Sequence, residues 1–131
     1  MPFYHAIVRP DLLDESKRHA FANDVVEVHC DVTGAPPSFV HVMVTEADEN
    51  SLDADRNAVI NGTIRAGRTD EQKAEIAGRL SQALAATAEV DVDSVFTTTR
   101  DIQASYTMEG GALLPEPGSA EEEAWMAGPV H

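Results

Sequence analysis

Residues 58–84, AVINGTIRAGRTDEQKAEIAGRLSQAL, decide the fold. Ala58 to Arg65 is a short run of strand formers that ends on an arginine. Thr69 is a good helix N-cap, and Gln72 three residues later completes a capping-box pattern. Ile76, Leu80 and Leu84 then recur every four residues, the apolar stripe of one helical face, through about Thr87. Val95 to Arg100 reads as a strand again, so the segment is a β-α-β unit whose two strands run parallel, because a helix carries the chain from one to the other.

The first half repeats this plan. Phe3 to Val8 is a strand ended by Arg9-Pro10, and Asp14-Glu15 open a helix with acids at the positive end of its dipole. Phe21, Val25, Val28 and Val32 line one face of it. Gly34 stops the helix, Pro36-Pro37 forbid its continuation, and Phe39 to Val44 is the second strand. The halves overlay without a gap at a shift of 56 residues. Val8 falls on Ile64, Arg9 on Arg65, Asp14 on Asp70, Glu15 on Glu71, Lys17 on Lys73 and Ser38 on Ser94. The expected architecture is α/β (α+β): two fused β-α-β units forming one four-stranded sheet with both helices on one face.

One domain is expected over 1–131. The first unit occupies 1–45, a polar acidic connection 46–57, the second unit 58–100, and a hairpin with a C-terminal tail 101–131. Gly110-Gly111 is a hairpin-like turn signal, and Pro115-Glu116-Pro117-Gly118 is a stop. Residues 119–127 form a short helix carrying Trp125, expected to pack on a neighbouring chain or to fray. The second face of the sheet is left bare, so self-association into a closed oligomer is expected.

The chain carries 23 Asp and Glu against nine Lys and Arg, a formal net charge of −14. Such a surface repels nucleic acid and anionic lipid, and no basic patch overrides it. Aromatic residues are 5% of the chain, too few for base-stacking strands. No apolar run reaches 18 residues, and the start lacks the features of a secretory signal. With one cysteine, Cys30, these features lead us to expect a cytoplasmic protein without membrane or nucleic-acid partners. Neither a P-loop nor a dinucleotide fingerprint is present, and His5, His19, His29, His41 and His131 have no metal-ligand spacing, so neither cofactor nor metal is expected.

Five positions have the chemistry for a site. Proline at position two permits removal of Met1 by methionine aminopeptidase, which leaves Pro2 with a free secondary amine. An α-amino group titrates at about 7.7–8.0, lower when buried or beside cations, and so serves as acid or base near neutral pH. Many proteins begin Met-Pro with no such role. Arg65 and Arg68 flank Gly67, which permits a tight bend, so both guanidinium groups can turn to one spot and clamp a carboxylate. Solvated loop arginines fit the same spacing. His29 lies at the edge of the first helix's apolar stripe, the place of a core-edge histidine or of a site residue. Glu109, just before the turn, is one surface acid among many or a carboxylate that activates water.

Taken together, these positions resemble the tautomerase superfamily, and within it the cis-3-chloroacrylic acid dehalogenase group. The similarity rests on residues 63–80 (TIRAGRTDEQKAEIAGRL), on Leu113-Leu114-Pro115-Glu116-Pro117-Gly118 with Trp125 beyond it, and on the start Met1-Pro2-Phe3-Tyr4. It implies a tautomerase fold assembled as a homotrimer. It also implies that Pro2 is the catalytic amine, that Arg65 and Arg68 hold a substrate carboxylate, that His29 assists binding, and that Glu109 activates water. Where that group has a tyrosine on the last strand, this chain has Thr98, which supplies no phenol; Tyr106 is the nearest alternative. The function implied is proton transfer by Pro2 on a small 2-oxo or unsaturated carboxylate, as enol–keto tautomerisation with hydratase activity. Hydrolytic dehalogenation of a cis-3-haloacrylate is the alternative, and a non-catalytic oligomeric binding protein on the same fold is the second.

Overall fold

The computed structural model describes residues 1–127; His131, considered above as a ligand, lies outside them. Strand β1 (Phe3–Val8) leads into helix α1 (Glu15–Thr33) and strand β2 (His41–Glu46). Strand β3 (Ala58–Arg65), helix α2 (Asp70–Ala88) and strand β4 (Val95–Ile102) repeat the unit. The sheet order is β2-β1-β3-β4. β1 runs parallel to β2 and β3 parallel to β4, while β1 and β3 meet antiparallel at the centre. The two units therefore face each other across the middle of one mixed sheet, as their parallel helical crossovers require.

Local chemistry sets the helix limits. The Asp14 side chain accepts from Lys17 N–H at the start of α1, and Gly34, at φ 75°, ends it. At α2 both halves of the capping box form, Gln72 N–H to Thr69 Oγ1 and Thr69 N–H to Gln72 Oε1. α2 ends on Glu89 in the left-handed region, at φ 58°. The caps correct the ungapped overlay. Val8 and Ile64 are both buried at the ends of their strands, as a shift of 56 requires. Asp14, however, plays the part of Thr69 rather than of Asp70, and Gly34 that of Glu89, so the strand-to-helix turn is one residue shorter in the second unit.

Two strand limits also move. β2 begins at His41, because Pro37–Phe39 form a 3₁₀ turn that starts on a proline and buries Phe39. β4 runs on to Ile102, paired with Arg65.

The core lies between the sheet and its helices. Phe21 and Val25 of α1 and Ile76, Leu80 and Leu84 of α2 meet Tyr4, Ala6, Val8, Ala58, Ile60 and Ile64, all at most 1% exposed. Phe3, Met43 and Phe96 remain exposed, with Phe96 partly covered by the Arg56 guanidinium, 4.8 Å from its ring centre. Beyond β4 a two-stranded hairpin, β5 (Met108–Glu109) and β6 (Ala112–Leu113), turns on Gly110-Gly111. Helix α3 (Ala120–Met126) follows, capped by Ser119. Within the chain, Trp125 stacks on Phe39, with ring centroids 4.3 Å apart. The 3₁₀ turn presents the Phe39 ring that receives it. Among the described residues, no helix is long and apolar enough to cross a membrane.

Candidate active site

The strand β1 start, the α1 end and the β3–α2 turn meet at one end of the sheet. The Gln72 side-chain amide donates to Val32 O at 3.2 Å and so ties the start of α2 to the end of α1. Gly67, at φ 114°, makes the bend between Arg65 and Arg68; a Cβ there would sit 3.0 Å from Pro117, so glycine lets the 115–117 segment close against the turn. Arg65 Nη1 donates to Pro115 O at 3.1 Å from the same direction.

Pro2, His29, Arg65 and Arg68 line one cavity here, roofed by Trp125 and Met126 of α3. Met1 lines it too. Its amine donates to Phe39 O at 3.1 Å and forms an ion pair with the Glu109 carboxylate. With Met1 in place the free space is about 10 Å³, room for a single water. The Pro2 carbonyl is held by His41 N–H at 3.0 Å, which anchors the residue that would carry a free amine once Met1 is gone.

His29 is buried at 2% exposure, and Tyr4, fully buried, places its hydroxyl 2.7 Å from His29 Nδ1. Burial drives the His29 imidazole down to about 4, helped by the Arg68 guanidinium and the chain's amino terminus. The ring is neutral at pH 7. Burial pushes the Tyr4 phenol well above its ordinary value, against the pull of Arg68, so the hydroxyl keeps its proton. With the Tyr4 O–H donating to Nδ1, the remaining ring proton lies on Nε2. His29 is thus a neutral hydrogen-bond donor rather than a cation. Arg68 is held below its ordinary value by burial and by Arg65, with Glu122 and Tyr4 opposing. It remains a cation, as arginines do.

The shifted imidazole has a consequence for stability. Between pH 6.5 and about 4 the unfolded chain takes up a proton at His29 that the folded chain refuses. The stabilisation is complete above pH 6.5 and is lost as pH falls towards 4. Wild type is expected to lose about 2 kcal/mol more than His29→Gln between pH 7 and pH 5, read by urea denaturation at each pH. Equal losses would remove the neutral imidazole from this account.

The remaining positions lie elsewhere. Thr98 is exposed on β4 and donates to Asn61 Oδ1 at 2.9 Å. Tyr106 is 77% exposed. Neither lines the Pro2 cavity within this chain. Burial pushes the Cys30 thiol up, away from nucleophilic use. Among the described residues no group of three His, Cys, Asp or Glu side chains gathers to hold a metal.

The family model described as "Putative oxalocrotonate tautomerase enzyme" matches residues 1–129. The chain belongs to the tautomerase superfamily. Among solved structures, N1, a member of the cis-3-chloroacrylic acid dehalogenase family, is 31% identical to it, with a TM-score of 0.83, covering 95% of this chain and 90% of that one. A fused 4-OT, an asymmetric trimer, matches at 21% identity and a TM-score of 0.75, over 85% of this chain and 94% of that one. Macrophage migration inhibitory factor of Toxoplasma gondii matches at 21% identity and 0.74, over 86% and 99%. The last two show the fold alone. Among curated proteins, none matches the sequence.

In this tautomerase-superfamily chain, three participants escape the pattern of the sequence. Tyr4 appears there only as part of the opening motif, Phe39 as a strand residue, and Glu122 as one acid in a run. Glu122 forms an ion pair with Arg65, 57 positions away in the chain, and no local period reports that.

Proposed function

We propose that this protein is an acid–base enzyme that uses the amine of Pro2, after loss of Met1, on a small 2-oxo or unsaturated carboxylate. The observation that carries this reading is the single cavity lined by Pro2, His29, Arg65 and Arg68, two of them guanidinium groups in a strongly acidic protein. Arg65 and Arg68 bind the carboxylate. The His29 Nε2–H donates to the 2-oxygen, where negative charge develops. Neutral Pro2 nitrogen takes the enol O–H proton and the C=O bond forms; the electrons of the C=C bond then take up that proton at carbon.

A hydratase mode is a second reading, favoured by the Glu109 carboxylate lying against the chain's first amine. Here Glu109 removes a proton from water as the oxygen attacks C3, and protonated Pro2 delivers its proton to C2. With a halogen on C3, the resulting halohydrin expels halide, which is the dehalogenase alternative. Thr98 offers no phenol to help position that water, so tautomerisation is the first reading. The assembly proposed is a cytoplasmic homotrimer. It would cover the sheet face on which Phe3, Met43 and Phe96 lie exposed.

The test is ketonisation of phenylenolpyruvate. Arg68→Ala is expected to raise KM about 10–100-fold, the worth of a charged hydrogen bond, with kcat little changed. Unaltered kinetics would take the clamp out of the mechanism, and no ketonisation by wild type would leave hydration of another acid, or binding alone, on this fold. Glu109→Gln separates the two modes: hydration of propynoate should fall far more than ketonisation.

A further inference from the structure

The charge of Arg65 is already answered from within the chain. Glu122 of α3 forms an ion pair with Arg65 Nη1, and the Trp125 ring lies 5.2 Å from the same guanidinium. Glu122 Oε1 accepts from Gly118 N–H at 3.1 Å. Burial alone would raise the Glu122 carboxyl, but the Gly118 N–H and Arg65 outweigh it and hold it below the usual range, so it is an anion at neutral pH. Its Oε2, the oxygen that faces Arg65 Nη1, is buried, and Arg65 is its partner there.

The helix that carries it is weakly held. No residue of α3 is buried, and it starts two residues beyond Gly118, which stands at φ 79°. Such a segment belongs to the low-stability end of a fold. A substrate carboxylate on Arg65 would meet the Glu122 charge at contact distance, and like charges so close repel.

We propose that Glu122 is an internal carboxylate that occupies Arg65 until a substrate carboxylate displaces it, with α3 moving off the cavity mouth in the exchange. This rests on the reading that Arg65 and Arg68 hold a carboxylate, and it makes Glu122 a determinant of specificity. Anions strong enough to replace it enter, whereas the neutral ester or amide of the same acid does not. Trp125 leaves Phe39 and Arg65 as α3 moves.

The experiment uses Met1-free wild type, Glu122→Gln and Arg68→Ala, with crotonate as the probe, calorimetry for affinity and the emission of Trp125, the chain's single tryptophan, for the helix. Glu122→Gln is expected to bind crotonate about tenfold more tightly than wild type, the worth of one charged contact. Saturating crotonate should shift wild-type emission towards the value that ligand-free Glu122→Gln already shows. Equal or weaker binding by Glu122→Gln, or emission that does not move at saturation, overturns the exchange even where Arg68→Ala has lost affinity. Arg68→Ala binding crotonate as wild type does, or no binding by any of the three, overturns the carboxylate clamp itself and the exchange with it.

Discussion

Changing Pro2 to alanine is expected to cut ketonisation of phenylenolpyruvate by about 10²–10⁴-fold, the range of a lost acid–base group, without disturbing the fold. The one backbone bond of Pro2 that matters here is made by its carbonyl, which accepts from His41 N–H, and alanine keeps it. Met1 is also removed ahead of alanine, so the variant presents a primary amine near the same point. That amine lacks the ring which fixes its direction at the cavity. Two guanidinium groups line the cavity in which that amine would act. The comparison requires mass spectrometry of both proteins, followed by progress curves at matched concentration. Equal rates would leave the cavity's lining residues as a binding site and move the proton transfer to some other group.

Gly62→Ala should have the largest effect on stability. Gly62 pairs directly with Tyr4 across the β1–β3 contact, and the Tyr4 ring lies over it. An added Cβ would stand 2.6 Å from Tyr4 Cε1 and 2.9 Å from Cδ1, separations at which one of them must move. The ring is fully buried, so it cannot swing out to solvent, and its hydroxyl is committed to His29. Overpacking of this kind costs about 3 kcal/mol, more where the displaced group also loses a buried hydrogen bond. The urea midpoint is expected to fall accordingly, and ketonisation to fall with it well below the unfolding temperature, because His29 loses the partner that fixes its tautomer. A loss under about 1 kcal/mol would mean that the Tyr4 ring has a second seat.

Most of the fold was legible because its signals are local. The Thr69–Gln72 pair, the fourfold spacing of Ile76, Leu80 and Leu84, and Gly34 before two prolines each need only a few neighbouring residues to be read. The slip between the two units was not legible: Asp70 matches Asp14 in type, while the capping role falls to Thr69, whose partner Gln72 lies three residues away. Phe39 looked like a strand residue since its flanks are apolar, but the preceding Pro37 starts a 3₁₀ turn. The site was half legible. Arg65, Arg68 and Pro2 announce themselves by residue type. Tyr4 with His29, and Glu122 with Arg65, are pairings made by tertiary folding between residues 25 and 57 positions apart, and composition has nothing to say about them.

On the proposed reading, removal of Met1 would be a switch that is thrown once. With Met1 seated, its amine engages Glu109 and Phe39, and about a water's worth of space remains in the cavity. Activity would then begin with a protease and not with a ligand, and it could not be reversed. The same arithmetic applies at the bench. A polyhistidine tag or a leftover cleavage residue ahead of Pro2 would, on the same reading, hold its nitrogen in an amide and leave no free amine there to move the proton. Recombinant protein should therefore carry its tag at the other end, beyond α3.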